Sequence, residues 1–207
     1  MVIQQNFNEA IIGVTPIKYT VDELLSLLKN KEWYLPIIKN KCESRKIEQL
    51  TVRYLIYMLL GEEKEINYSP SGKPFFADGS YYISISHTKG YVAVILNKKN
   101  EVGIDIEYVS PRVNKIRSRF MNQTEEENIS KENETIHSLL HWSAKEALFK
   151  ILEYNDIDFK LHLHMDAFIP EMYKWAQFGA YETRSNEKKM FIIDYLVAKD
   201  YVLTAIK

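Results

Sequence analysis

The chain has 207 residues, 46% hydrophobic and 27% charged, with a formal net charge of −1. That is enough chain for one large domain or two small ones with a sizeable core, and it lacks the global basic field of a nucleic-acid binder. One cysteine, Cys42, excludes an internal disulfide and suits a reducing compartment. The first residues lack a signal-peptide layout, and no apolar run nears the roughly 18 residues of a membrane span, so a cytoplasmic protein is expected.

Residues 9–18 predict a short strand. "TVDELLSLLKN" (20–30) predicts a helix with Thr20 as its N-cap and acids in its first turn. "SRKIEQLTVRYLIYMLL" (44–60) predicts a longer helix, started by Ser44 and ended by Gly61. Ile47, Leu50, Tyr54, Leu55 and Met58 recur at helical spacing and should face the core, with Arg53 off that stripe. Residues 69–80 read as a loop. "YYISIS" and "YVAVIL" predict two strands joined by "HTKG", and "NKKN" (97–100) a turn.

"EVGIDIEYV" (101–109) predicts a strand, in which alternate side chains share a face. Val102, Ile104 and Ile106 then point into a core. Gly103, Asp105 and Glu107 point the other way, with the glycine removing bulk beside the acids. Two carboxylates this close repel unless a cation lies between them, and a hard divalent ion is one solution. An exposed pair of acids on a solvent-facing strand is the other.

Residues 111–134 are polar. A short apolar helix is expected over Val113–Met121, able to dock a partner helix or to join the core. "TEEENISKENE" reads as a solvated face or a linker. A strong helix follows at about 134–152. Within it, Trp142, Glu146 and Lys150 share a face in "WSAKEALFK", and Lys145 lies one step round. These residues make either a surface ion pair behind a tryptophan anchor or a third metal oxygen with lysines facing an anion. Residues 190–197 and 201–206 predict a closing strand pair. "GYVAVIL" (90–96) and "DYVLTAI" (200–206) echo each other and hint at two similar halves meeting near residue 101.

Three smaller groups complete the candidates. Ser86 and His87, in "SISHTKG", offer a hydroxyl and an imidazole at a turn, where a phosphate can be held. Arg45, Arg53 and Lys73 are scattered cations, with Lys73 fixed in "GKPFF". His162 and His164 have the spacing of a strand metal pair but no evident third ligand.

"GKPFF", "ISHT", "VGIDIE" and "WSAKEALFK" occur in this order over about 80 residues. Their order and spacing resemble the 4′-phosphopantetheinyl transferases. The likeness is to the larger, monomeric, surfactin-synthetase-activating type, which acts on fatty-acid, polyketide and peptide-synthetase carriers. It covers roughly residues 45–150. The resemblance implies an α+β fold of two similar halves, residues 1–100 and 101–207, related by pseudo-twofold symmetry with the active site at their interface.

The resemblance also assigns roles. Asp105, Glu107 and Glu146 match the family's Mg²⁺-binding acids, with Asp105, Glu146 and Lys150 as the catalytic set. Lys145 and Lys150 match the lysines of its second signature, and Lys150 would touch phosphate or the departing group. Ser86 and His87 match the pair at the nucleotide end of coenzyme A, Lys73 the lysine of "GKP", and Arg53 and Arg45 basic residues toward the 3′-phosphate. The reaction implied is Mg²⁺-dependent transfer of 4′-phosphopantetheine from coenzyme A to a serine of an apo acyl or peptidyl carrier protein, releasing 3′,5′-ADP. A monomer is expected, with no nucleic acid or membrane partner. The alternatives are a metal-dependent phosphohydrolase using the same acids, and a degenerate homologue that binds coenzyme A or a carrier without catalysis.

Overall fold

The computed structural model describes residues 3–7, 9–152 and 156–207. It is a mixed α+β chain that divides into two compact units, Met1–Val102 with Lys207, and Gly103–Ile206.

The first unit runs β1 (Ile3–Phe7), β2 (Ala10–Pro16), α1 (Val21–Leu27), α2 (Lys31–Ile38), α3 (Glu43–Leu60), β3 (Ile66–Tyr68), β4 (Pro74–Phe76), β5 (Tyr82–Thr88) and β6 (Tyr91–Asn97). Its main sheet has the order β1-β2-β6-β5, antiparallel throughout, and β3 and β4 form a separate hairpin. Thr20 caps α1 as expected. Its hydroxyl accepts from the Glu23 amide while the Glu23 carboxylate accepts from the Thr20 amide, so two orphan amides are satisfied together.

Helix α3 is capped by Cys42 rather than Ser44, which lies inside its first turn. Gly61 ends the helix in the left-handed region at φ +73, where a side chain would be strained. The buried arc of α3 is wider than one stripe because the helix is packed on two sides. Val52, Leu55, Ile56 and Leu59 meet the sheet. Leu50, with Ile47, Tyr54 and Tyr57, meets Leu24, Leu28, Tyr34 and Ile38 from α1 and α2. Arg53 is therefore buried, whereas Met58, expected in the core, is 48% exposed.

The second unit runs β7 (Gly103–Tyr108), two 3₁₀ turns (Pro111–Lys115 and Arg117–Arg119), α4 (Gln123–Glu127), α5 (Glu134–Ile151), α6 (Phe159–His162), β8 (Leu163–Met165), β9 (Trp175–Glu182), β10 (Met190–Val197) and β11 (Tyr201–Ile206). Its sheet has the antiparallel order β7-β11-β10-β9-β8. Helix α5 lies on β7 and β11 and buries Leu140, Ala144, Ala147 and Leu148 in the core.

The expected helix over Val113–Met121 is absent. Ile116 leaves helical geometry at φ −113, ψ 1 and splits the segment into its two turns. Val113, Phe120 and Met121 are all buried in this unit's core, so none of them is offered to a partner. "TEEENISKENE" is not a plain linker either. It carries all but the first residue of α4, which Asn122 caps, and Glu125 within it is buried. Among the described residues, no helix is long and apolar enough to cross a membrane.

Candidate functional site

Two groups of the sequence-derived candidates come together, one in each unit. In the second unit, β7 and α5 lie side by side and run antiparallel. Gly103 meets Ala147 and Ile151, Asp105 meets Lys150, and Glu107 meets Trp142. The strand's period of two and the helix's period of four thus place "GxDxE" against "WxxxExxxK". A Cβ at Gly103 would lie 2.2 Å from the carbonyl oxygen of Ala147. Gly103 therefore does more than remove bulk beside the acids. It lets the helix backbone settle onto the strand.

Glu107, Asp105 and Lys150 are each held by a specific partner. The Trp142 indole N–H donates to Glu107 Oε1 at 2.7 Å, a role beyond the apolar anchor that its spacing suggested. Lys150 Nζ donates to the Ile104 carbonyl at 2.7 Å and to Asp105 Oδ1 at 3.0 Å. Thr204, opposite Asp105 in the β7–β11 register, shares a 2.8 Å hydrogen bond with Ser143. Asp105 is only 5% exposed.

Burial and like charge act together on the acids. Glu107 is pushed up to about 7, first by desolvation and then by Asp105, with Glu146 adding repulsion and the Trp142 hydrogen bond opposing it. Glu146 is raised by burial and by Asp105, with Lys150 opposing. The three carboxylates thus sense one another, and a cation among them would relieve that strain. Their oxygens suit a hard ion such as Mg²⁺. Among the described residues, no group of three or more His, Cys, Asp or Glu side chains is already gathered at metal-holding positions. The acids would have to draw together around an ion.

Lys145, one step round from Glu146, is placed differently. It is fully buried, and its ammonium donates to the Phe120 carbonyl at 2.7 Å, Glu125 Oε2 at 2.7 Å and the Phe159 carbonyl at 3.0 Å. Glu125 Oε1 in turn accepts from the Met165 amide. All three donors of Lys145 are committed inside this unit. Sequence reading missed Glu125 because a buried acid in a polar run looks the same as a solvated one. His164 stacks on Tyr181 at 4.7 Å and bonds the Asn122 amide, also within the fold.

In the first unit, Arg45 on α3 and His87 on β5 meet. Arg45 Nη1 lies 2.6 Å from His87 Nε2 and 2.7 Å from Glu48 Oε2. A guanidinium only donates, so that imidazole nitrogen is the acceptor. Ser44, Arg45, Glu48, His87, Thr88 and Lys89 contribute to the lining of an open cavity of about 490 Å³. Strand β5 extends through His87 and Thr88, so the turn is just Lys89 and Gly90. Ser86 and His87 consequently point to opposite faces, and Ser86 is buried and does not line this cavity. Lys73 pairs with Glu101 beside a turn clasped by Ser69. Arg53 lines a different cavity, with Trp33, Tyr34 and Tyr68.

These geometries coincide with a match to known proteins. The model of the 4′-phosphopantetheinyl transferase superfamily matches residues 101–205, which hold β7 and α5, and the chain belongs to that superfamily. A 4′-phosphopantetheinyl transferase AcpT of Salmonella typhi is 35% identical over 71 residues, 34% of this chain and 37% of that protein. The AcpT of Escherichia coli K12 is 37% identical over 71 residues, 34% of this chain and 36% of its own length. A putative 4′-phosphopantetheinyl transferase of Synechocystis is 28% identical over 116 residues, 49% of this chain and 47% of that one. The matched stretches span from about a third to about half of these relatives.

Proposed function

We propose that the chain transfers 4′-phosphopantetheine from coenzyme A to a serine of an apo acyl or peptidyl carrier protein, as a cytoplasmic monomer of the larger type. The observation that carries this reading is the grouping of Asp105, Glu107 and Glu146 on β7 and α5, inside the stretch that matches the superfamily.

Asp105, Glu107 and Glu146 would hold a Mg²⁺ ion, which when bound would neutralise pyrophosphate charge. Trp142 and Lys150 fix the carboxylates of Glu107 and Asp105. The carrier serine oxygen bonds to the β-phosphorus of coenzyme A, and the bond from that phosphorus to the bridging oxygen breaks. Phosphopantetheine stays on the serine, and 3′,5′-ADP leaves with the bond's electron pair. Glu146 takes the serine proton. Such chemistry needs alignment and charge neutralisation more than a covalent partner. Arg45 and His87 hold a phosphate of the nucleotide end in place of Glu48, and Lys73 adds a cation toward that end. Ser86, buried on the opposite face of β5, does not reach that phosphate. Lys145 is a structural residue in this reading.

The test is incubation with coenzyme A, Mg²⁺ and an apo carrier protein, read by intact mass. A gain of one phosphopantetheine on the carrier is expected. Tight coenzyme A binding with no gain on several unrelated carriers would favour the degenerate homologue, and turnover of coenzyme A without a carrier would favour a phosphohydrolase. Asp105→Ala is expected to abolish transfer while the far-UV spectrum stays that of the wild type. An active Asp105→Ala protein would remove the metal assignment.

A further inference from the structure

Arg53 is a buried cation with an unusual set of partners. It is 3% exposed. Nη1 donates to the Gln49 carbonyl and to Gln49 Oε1, both at 2.9 Å. Among the described residues, Nη2 is buried and has no hydrogen-bond partner. Burial opposes its charge most, and the groups that favour it are neutral phenols: Tyr68, which also hydrogen-bonds the guanidinium, and Tyr34. The Tyr34 hydroxyl is itself engaged, donating to Glu63 Oε2 at 2.7 Å. A guanidinium taken out of water without a carboxylate partner carries a large desolvation cost, and an incoming anion would offset it.

The surroundings give that anion a place. Arg53 lines a cavity of about 640 Å³, within the usual range for small-molecule sites. The lining is layered by burial. Arg53, Tyr34 and Ile66 are buried, Trp33, Ile37 and Gln49 are half-buried, and Lys41, Asn67 and Tyr68 stand exposed at the rim with Glu32 and Glu65. The two rim acids face solvent, while the cation lies at the floor. Trp33 and Tyr68 offer flat apolar surface on the way in.

We infer that this cavity is an anion site of the first unit, built for a phosphate or carboxylate carried on a flat body, and separate from the Arg45–His87 cavity. Nη2, the arm of the guanidinium that Gln49 does not hold, can donate to either head group, and the aromatic walls take the body. This assignment stands independently of the transfer reaction, because none of its lining residues belongs to the Arg45–His87 cavity or to the carboxylate group.

The test uses the full chain and three probes: phenyl phosphate, benzoate and inorganic phosphate. Indole N–H resonances report on the three tryptophans, with Trp33 assigned through Trp33→Phe. Phenyl phosphate or benzoate is expected to shift the Trp33 signal and leave Trp142 and Trp175 in place. Inorganic phosphate, lacking the body, should bind several-fold more weakly. Arg53→Met should lower the affinity by about tenfold or more, equivalent to about 1.4 kcal/mol. Saturating coenzyme A should leave the bound probe in place. No shift at Trp33 with any probe up to about 10 mM would overturn the inference, since that marks affinity too weak for a built site. Displacement by coenzyme A would overturn it too, by making the cavity part of the coenzyme A site. Should Arg53→Met fail to fold, the wild-type titration and the coenzyme A competition still decide.

Discussion

The two units use the same parts to different ends. Each lays one 18-residue helix, α3 or α5, on an antiparallel sheet, and each helix buries one cation. In the second unit that cation, Lys145, meets a carboxylate and two carbonyls, so every donor is used. In the first unit Arg53 meets a glutamine and two phenols beside an open cavity. A buried charge with a full set of partners fixes packing. A buried charge with an incomplete set, beside space, leaves part of its interaction for something else. The two lysines of "WSAKEALFK" teach the same lesson within one helix. Lys145 is sealed, while Lys150, one turn on and part-exposed, reaches the acids.

The sharpest way to break this comparison is to remove both cations in turn. Lys145→Met strands Glu125 in the core together with two carbonyls, and should cost about 3–5 kcal/mol in urea unfolding. Adding Glu125→Gln should recover a large part of that loss, because the stranded charge is then gone. Arg53→Met leaves Glu63 with its other partners, and relief of the buried charge offsets the lost bonds to Gln49, so it should change stability by no more than about 1 kcal/mol. Equal losses at the two sites would mean that pairing does not distinguish them.

The glycines at the helix–sheet contacts come next in size. Both Gly13 on β2 and Gly103 on β7 lie where a helix approaches closely. A Cβ at Gly13 would meet the tip of the Leu59 side chain at 2.7 Å, whereas one at Gly103 would meet helix backbone at 2.2 Å. Side-chain tips turn aside; a helix backbone moves only as a body. Gly103→Ala should therefore cost about 1–3 kcal/mol and disturb the carboxylate group, and Gly13→Ala less. Chemical denaturation of the two variants side by side checks this, and a larger loss at Gly13 would reverse the ranking.

The parts of the fold that could be read from sequence were those governed by local rules. The capping box of Thr20, the left-handed stop at Gly61 and the closing strands at 190–197 and 201–206 follow from spacing and backbone sterics alone. The juxtaposition of "GxDxE" with "WxxxExxxK" needed the two periods plus a family resemblance. What remained hidden was set by tertiary partners. Helix α2 carries Pro36 in its interior and does not announce itself. Strand β4 lies in a stretch that reads as loop. Glu125 and Arg53 look like surface charges until the elements that cover them are known, since burial is a property of the neighbours and not of the residue. The Trp142 bond to Glu107 was hidden for a related reason, because an indole at a helix position reads as apolar area before it reads as a donor.

The smallest effect concerns the acids themselves and has a sign that can be worked out. Glu107 has its pKa raised from 4.5 to about 7, mainly by burial. Below about pH 4.5 the group is protonated whether the chain is folded or not, and it contributes nothing. As pH rises toward 7 the unfolded chain has released the proton while the folded one still holds it, so folding grows less favourable. Above about 7 the cost is complete and constant. Discounted for partial exposure, it is on the order of 1 kcal/mol. Wild type should therefore lose stability relative to Glu107→Gln between about pH 4.5 and 7, and not beyond. Millimolar Mg²⁺ should shrink that loss, because a cation favours the ionised carboxylate, while leaving Glu107→Gln less affected. Thermal unfolding across pH, with and without the ion, measures both terms. A difference between the two proteins that is flat in pH would mean that Glu107 meets no desolvated, like-charged surroundings. A pH-dependent difference indifferent to Mg²⁺ would keep the buried carboxylate but separate it from the metal.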